Sequence, residues 1–199
     1  GTKNEFKRLV DSCHARGIAI ISDVVFNHAF GQCPMVQMYF DPNAGEFGQP
    51  SAQNPWFNQV ATHPYSIGYD FNHESQATKY FVKKVLKYWL QEFKIDGFRF
   101  DLSKGLTQTN TGGNISAWSA YDQSRINIIL DYAASIRQTD PSAFIILEHL
   151  GVVSEESVYA DNGLMLWGKA TDQYNEATMG WLNGQNQNLY NTTPQSRGW

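Results

Sequence analysis

Three short runs of bulky apolar residues, IAIISDVVF (18–26), IDGFRFDL (95–102) and AFIILEHL (143–150), leave this chain few ways to fold. Each is about one strand long and apolar almost throughout, as expected of strands covered on both faces. Between the runs the apolar period changes from that of a strand to that of a helix. In residues 2 to 16, Phe6, Leu9, Val10 and Cys13 fall at i, i+3, i+4 and i+7, and Gly17 follows as a helix stop. Residues 75 to 93 set Val82, Val85, Leu86, Trp89, Leu90 and Phe93 on one stripe, with Lys79, Lys83, Lys84 and Lys87 mostly off it. A third helix is predicted over about 121 to 138, with Ile126, Ile129, Leu130 and Ala133 in register. GLMLWGKA (163–170) predicts a further strand and YNEATMGWL (174–182) a further helix. From Asn27 to about Glu74 lies a long irregular segment rich in Gly, Pro, Asn, Gln and aromatics, which reads as a functional loop or a small subdomain. Helix and strand alternate as in a parallel α/β sheet, either doubly wound or closed as a (β/α)8 barrel.

In both architectures functional groups gather at the carboxyl ends of the strands. The run at 18–26 leads into Asp23, Asn27 and His28; that at 95–102 ends with Arg99 and Asp101, then Lys104; that at 143–150 ends with Glu148 and His149. Period-two alternation puts Gly97, Arg99 and Asp101 on one face and Phe98, Phe100 and Leu102 on the other. Glu148 shares a face with Ile146 and Phe144, so Asp101 and Glu148 can approach over one cavity. A charge taken out of water costs several kcal/mol unless paired, and a pair seldom recovers that cost through stability alone. Two carboxylates beside an arginine are the parts of a glycosidase. Arg99 would hold Asp101 ionised for attack, and Glu148 would sit in a drier, less charged place to keep its proton. Asp23, several residues before its strand end, reads as a structural hydrogen-bonding group, and His149 as a satisfied supporting histidine.

Composition excludes several other classes. The 199 residues are 42% hydrophobic and 14% aromatic with a formal charge of −4, which gives ample material for a core. A mild acidic excess without a basic cluster argues against a nucleic-acid partner. No run approaches the roughly 20 apolar residues of a bilayer span. Cys13 and Cys33 lack metal-ligand spacing and read as two unlinked thiols. Trp56, Phe57, Tyr65 and Tyr69 read as packing within the long loop, and the sequons at Asn114 and Asn191 carry little weight.

DVVFNH, GFRFDLSKG and IILEHL, in this order and at these strand ends, closely resemble the first three signature regions of the α-amylase family, glycoside hydrolase family thirteen. GYDFNHES (68–75) resembles that family's short motif near the end of the loop domain after the third strand. The SKG and LEHL variants look most like secreted bacterial α-amylases. The resemblance implies a partial (β/α)8 TIM barrel, about the third to sixth strands, with residues 29–74 as an inserted domain B. It implies a retaining hydrolase of α-1,4-glucans in which Asp101 is the nucleophile, Glu148 the general acid/base and Arg99 the group that orients Asp101. His28 would bind the glucosyl unit at the cleaved position and Lys104 the sugar on the leaving side. Asn27 and Asp70 match positions that bind a structural calcium, together with the main-chain carbonyl of Gly105, where many members carry histidine. Oxygen donors suit that hard cation. The implied partner is an α-glucan, and the implied location of the parent protein is outside the cell or on its surface.

A barrel of this kind takes about 250 residues or more. The first two and last two strands have no counterpart here, and no NHD-like segment between Glu148 and Trp199 supplies the family's third carboxylate. The chain therefore reads as a central fragment of the catalytic domain, expected to be inactive in isolation. Transglycosylation or branching would use the same residues. A non-catalytic carbohydrate-binding relative is the alternative from another class, disfavoured by the two intact carboxylates.

Overall fold

The structure, a computed structural model, describes residues 1–65 and 67–167. The helix predicted at 174–182, the end of the strand predicted at 163–170 and the sequon at Asn191 lie outside these residues.

Four parallel strands form the central sheet in the order β1 (Ile21–Val24), β6 (Gly97–Phe100), β7 (Phe144–Glu148), β8 (Met165–Trp167). The sheet is open and does not close into a barrel among the described residues. Its register lays Asp23, Arg99, Ile146 and Met165 in one row, and Glu148 pairs with Trp167 two rows on, on the same face. Continuing the β6–β7 register places Asp101 beside Glu148. Phe98, Phe100, Ile145 and Leu147 point to the opposite face and are buried under the helices. The alternation read from the sequence thus separates a core face from a chemical face.

Helices α1 (Lys3–His14), α3 (Gln76–Tyr88) and α5 (Gln123–Thr139) form where the 3.6-residue stripes predict them. Thr2 and Glu5 close a capping box on α1, Ser75 caps α3 and Asp122 caps α5, each meeting amide groups that the helix leaves unpaired. Phe6 of α1 packs edge-on against Trp89 and Phe93 at 5.6 and 5.2 Å, but Leu9 on the same stripe is exposed. At its end α3 widens into one π-helical turn, Trp89–Phe93, which keeps Leu90 and Phe93 in the core before Lys94 turns left-handed at φ 56°. Three of the described α-helices were not predicted: α2 (Pro34–Gln37) and α4 (Ile115–Ser119) are too short to show a stripe, and α6 (Val153–Asp161) buries Glu155 and Glu156 near its start. No described helix is long and apolar enough to cross a membrane.

The excursion from 29 to 74 holds a second small cluster around Val36, Phe57 and Phe71. Within and beside it lie α2 (Pro34–Gln37) and two short antiparallel pairs, β2 (His28–Ala29) with β5 (Tyr69–Asp70) and β3 (Phe40–Asp41) with β4 (Gln49–Pro50). Trp56 and Tyr69 pack on this cluster, and Phe71 stacks on Phe81 of α3 at 6.2 Å, which ties the excursion to the helical layer. Cys13 and Cys33 are free thiols.

Gly97 lets β6 pass close to the start of β7. A Cβ there would collide with the Phe144 carbonyl and stand 2.7 Å from the Phe144 amide nitrogen. Gly97→Ala is therefore expected to push β6 from β7 and destabilise the whole protein by about 3 kcal/mol, read from the midpoint of denaturant unfolding.

Candidate active site

Arg99 gathers the ionisable strand ends. Its Nη1 donates to Asp101 Oδ1 at 2.6 Å and to Asp23 Oδ1 at 2.9 Å, while Nη2 lies 3.0 Å from Glu148 Oε2. One guanidinium therefore holds three carboxylates from three adjacent strand ends, in the fork geometry that arginine offers and lysine does not. Burial opposes the charge on Arg99, and the hydrogen bonds to Asp23 and Asp101 with the field of Glu148 outweigh it, so its pKa is raised. Trp167, at the end of β8, covers the guanidinium with its ring centroid 4.4 Å from Cζ.

Immediately past Asp101 the chain turns left-handed at Leu102, φ 44°, into a 3-10 turn at Ser103–Gly105. Such a conformation in a branched residue stores strain of about 1–3 kcal/mol. Here it aims the Leu102 amide at Glu148 Oε2, 3.0 Å away. Leu150, just after β7, repeats the device at φ 55°. Glu148 is thus held by Arg99 and a main-chain amide. This corrects the dry, less charged setting expected for it: the β6–β7 register brings the second arm of the fork within reach, which the sequence of β7 alone does not reveal.

Behind the strand ends lies a buried polar network. Ser103 donates through Oγ to the Glu148 carbonyl at 3.0 Å and lies 3.1 Å from His149 Nδ1. His149 Nε2 is 2.7 Å from Glu155 Oε1, which also accepts from Arg125 Nε at 2.6 Å and from the Tyr159 hydroxyl at 3.1 Å. Arg125 Nη2 donates to Glu155 Oε2 at 2.7 Å, and the Asp122 amide donates to the same oxygen at 2.9 Å. The rest of the Arg125 fork reaches the carbonyls of Trp118, Ala120 and Lys104. Glu155 and Arg125 are 0% and 1% exposed, so this pair joins the loops after β6 and β7 from inside. His149 is a supporting histidine, as read from the sequence. Glu155 and Arg125 went unread, since the only cue, an acidic first turn in SEES, is common on surface helices.

The remaining predicted residues divide. His28, paired with Asp70 across β2 and β5, stands near enough to Asp101 to feel its charge; burial lowers its pKa, only partly offset by Asp101. Lys104 is 7% exposed, with Nζ donating to Ser119 Oγ and the Leu150 carbonyl at 3.1 Å each and lying 4.0 Å above the Trp118 ring. The sequence reading placed it on the sugar; the structure engages its ammonium with the loop after β7. Asn27, Asp70 and Gly105 do converge. Asn27 and Asp70 are 0% and 2% exposed, and Asn27 Oδ1 and Asp70 Oδ1 have no hydrogen-bond donor among the described residues. A Cβ on Gly105 would collide with Asn27 Oδ1, so only glycine lets the main chain pass so close. The Gly105 carbonyl accepts from the Thr107 amide at 2.7 Å and retains a second lone pair.

The family described as alpha amylase, catalytic domain, matches residues 1–64, which include Asn27 and His28. The chain is 32% identical over 119 residues to the maltogenic alpha-amylase of Bacillus acidopullulyticus, a match covering 52% of this chain and 19% of that protein. It is 37% identical over 111 residues to the chloroplastic isoamylase SU1 of Zea mays, covering 54% of this chain and 13% of that one. A crystal structure of an Anoxybacillus alpha-amylase superposes with a TM-score of 0.63 at 20% identity, over 90% of this chain and 36% of its own, which speaks to the fold. The chain thus spans a fifth or less of the length of those two curated relatives.

Proposed function

We propose that this chain is part of an α-amylase-family catalytic domain, and that it carries the nucleophile and the acid of a retaining glycoside hydrolase acting on α-glucans, with α-1,4 linkages as the target. The observation that carries this reading is the Arg99 bridge from Asp101 to Glu148 across neighbouring parallel strand ends. The maltogenic alpha-amylase and isoamylase relatives support an α-glucan as the substrate class.

In the first step an Asp101 oxygen bonds to the anomeric carbon as the glycosidic C–O bond breaks, and Glu148 gives its proton to the departing oxygen. In the second, water attacks the same carbon, Glu148 takes a proton back, and Asp101 leaves as the carboxylate. Arg99 places positive charge beside the attacking group throughout. Its second arm pairs with Glu148 in the free site, so sugar entry displaces Glu148 from Nη2 and the released carboxylate takes up a proton from solvent before donating it to the departing oxygen. His28 contacts the sugar from the β2 side.

A structural cation fits beside this site. Asn27 Oδ1 and Asp70 Oδ1 are buried oxygens without donors among the described residues, and the Gly105 carbonyl, bonded once to the Thr107 amide, adds a third oxygen. When bound, such an ion offsets the Asp70 charge and ties the excursion at 29–74 to the loop after β6; it takes no part in bond breaking.

Treating the whole protein with a fluorinated α-glucosyl fluoride and sequencing the labelled peptide tests the reading. A covalent glycosyl adduct on Asp101 is expected, and an adduct on any other residue overturns the assignment. Products from amylose and from pullulan then separate α-1,4 from α-1,6 cleavage, and hydrolysis from transfer.

A further inference from the structure

The cation site contains a nitrogen donor that an all-oxygen calcium cage would lack. His63, in the excursion between β4 and β5, is 3% exposed, and both of its ring nitrogens are buried without a hydrogen-bond partner among the described residues. Its Nε2 lies 3.3 Å from Asp70 Oδ1, within ion-pair distance but without the geometry of a hydrogen bond. The same Nε2 would lie 3.0 Å from a Cβ on Gly105, the point with which Asn27 Oδ1 also collides. Three donor atoms from three separate segments, Asn27 Oδ1, His63 Nε2 and Asp70 Oδ1, therefore face one small volume, and none has a hydrogen-bond partner among the described residues.

Leaving buried polar atoms unmatched costs about 1–3 kcal/mol each, so such a convergence without a ligand would be a heavy burden on the fold. The imidazole is also held in place. It stacks on Trp118 with centroids 5.3 Å apart and planes at 10°, and Tyr65 stacks on the same indole at 5.1 Å. Asn27 is oriented by its own amide, whose Nδ2 donates toward the Tyr65 carbonyl at 3.4 Å and lies 3.1 Å from His28 Nδ1, leaving Oδ1 to face the others. Asp70 is oriented likewise, since Oδ2 accepts from Asn58 Nδ2 at 2.8 Å and from the Thr62 amide at 3.2 Å, leaving Oδ1. Asn27 and Asp70 present their unmatched oxygens because the rest of each side chain is already engaged, while His63 is held by stacking alone and its Nδ1 is also unmatched. Two ligands about 2.1 Å from one ion at a near-tetrahedral angle stand roughly 3.4 Å apart, close to the 3.3 Å between His63 Nε2 and Asp70 Oδ1.

We propose that His63 Nε2 is a ligand of this cation site together with Asn27 Oδ1 and Asp70 Oδ1, and that the site takes a borderline divalent ion of the manganese-to-zinc type in preference to calcium. Calcium takes six to eight oxygens, whereas imidazole suits the first-row transition ions. Among the described residues no group of three or more His, Cys, Asp or Glu side chains is placed to hold a metal ion, so the amide oxygen of Asn27 completes the set. The assignment rests on the cation reading above and is independent of glucan hydrolysis.

The test uses the whole protein, stripped with a chelator and dialysed, then titrated separately with Ca2+, Mn2+, Zn2+ and Co2+ while thermal unfolding is followed. Zn2+ or Mn2+ is expected to bind at least about tenfold more tightly than Ca2+ and to raise Tm more at equal concentration. The Mn2+ form should show nitrogen coupling from one imidazole by pulsed electron paramagnetic resonance, a readout that needs no variant. His63→Gln should remove that coupling and erase the preference over Ca2+. Tighter binding of Ca2+ by the unaltered protein, or nitrogen coupling that survives His63→Gln, overturns the His63 assignment while leaving a cation site. Binding of no ion, with the stripped protein as stable as the untreated one, overturns both, and makes His63 the partner of Asp70 in place of a metal.

Discussion

Replacing Asp101 by asparagine in the whole protein is expected to lower kcat on soluble starch by roughly 10^4-fold or more, a loss on the scale seen when a covalent nucleophile is removed. Asparagine keeps the size of the side chain and one oxygen that can accept from Arg99 Nη1, so the change removes charge and nucleophilicity rather than shape. Arg99 does not become an unpaired buried cation, because Asp23 remains at 2.9 Å and Glu148 at 3.0 Å. The melting temperature should therefore move little while the rate collapses. That combination separates a chemical role from a structural ion pair, which would shift stability and leave turnover largely intact. Steady-state kinetics with circular dichroism on the same samples reads both. Activity within tenfold of the unaltered protein would place the nucleophile elsewhere.

The other large effect falls on stability. Glu155→Ala is expected to cost about 3–5 kcal/mol, because it leaves the Arg125 guanidinium buried without its carboxylate and strips an acceptor from His149, Tyr159 and the Asp122 amide. In a protein of this size or larger that corresponds to a fall in Tm of about 10 °C. The pH dependence has a definite sign. Burial by itself would raise the Glu155 pKa, and the hydrogen bonds from His149 and Arg125 outweigh it and bring the group down to about 2. A carboxylate depressed on folding stabilises the native state fully above its ordinary value near 4.5, and that contribution drains away as pH falls toward 2. Burial lowers the pKa of His149, so proton uptake by the unfolded chain below 6.5 also favours unfolding in acid. The unaltered protein should thus lose stability steadily below neutrality. Glu155→Ala should be weaker at pH 7 and lose less between pH 5 and 2, as read by urea unfolding across that range. Equal acid slopes in the two proteins would mean that Glu155 is not ionised in the folded state.

Which parts of this architecture can be read from the chain depends on how far apart the interacting residues lie. Strand and helix stripes are local patterns, since a strand exposes alternate residues and a helix returns to one face every three or four. Those patterns place Phe98 and Phe100 in the core and Arg99 and Asp101 on the chemical face, as the structure has them. They also account for α1, α3 and α5. Helix α6 escapes the same reading because what it buries near its start is Glu155 and Glu156, not an apolar stripe. Its position is set by a charge partner 30 residues earlier, Arg125, which itself sits in an otherwise apolar helix face. Lys104 is similar: nothing beside it in SKG announces that its ammonium meets the Leu150 carbonyl 46 residues later.

The sequence by itself determined the alternating α/β layout, the face each strand turns to the core, and the residues that end those strands with charge. The reason is that local steric period and solvent exclusion act along a few consecutive residues. Only the tertiary structure decided that one guanidinium joins Asp23, Asp101 and Glu148, that Glu155 ties two loops from behind, and that His63 meets Asn27 and Asp70 at Gly105. Each of those depends on parallel register or on the path of the excursion at 29–74, where ionic and hydrogen-bond energies a few ångströms in range select partners from distant parts of the chain.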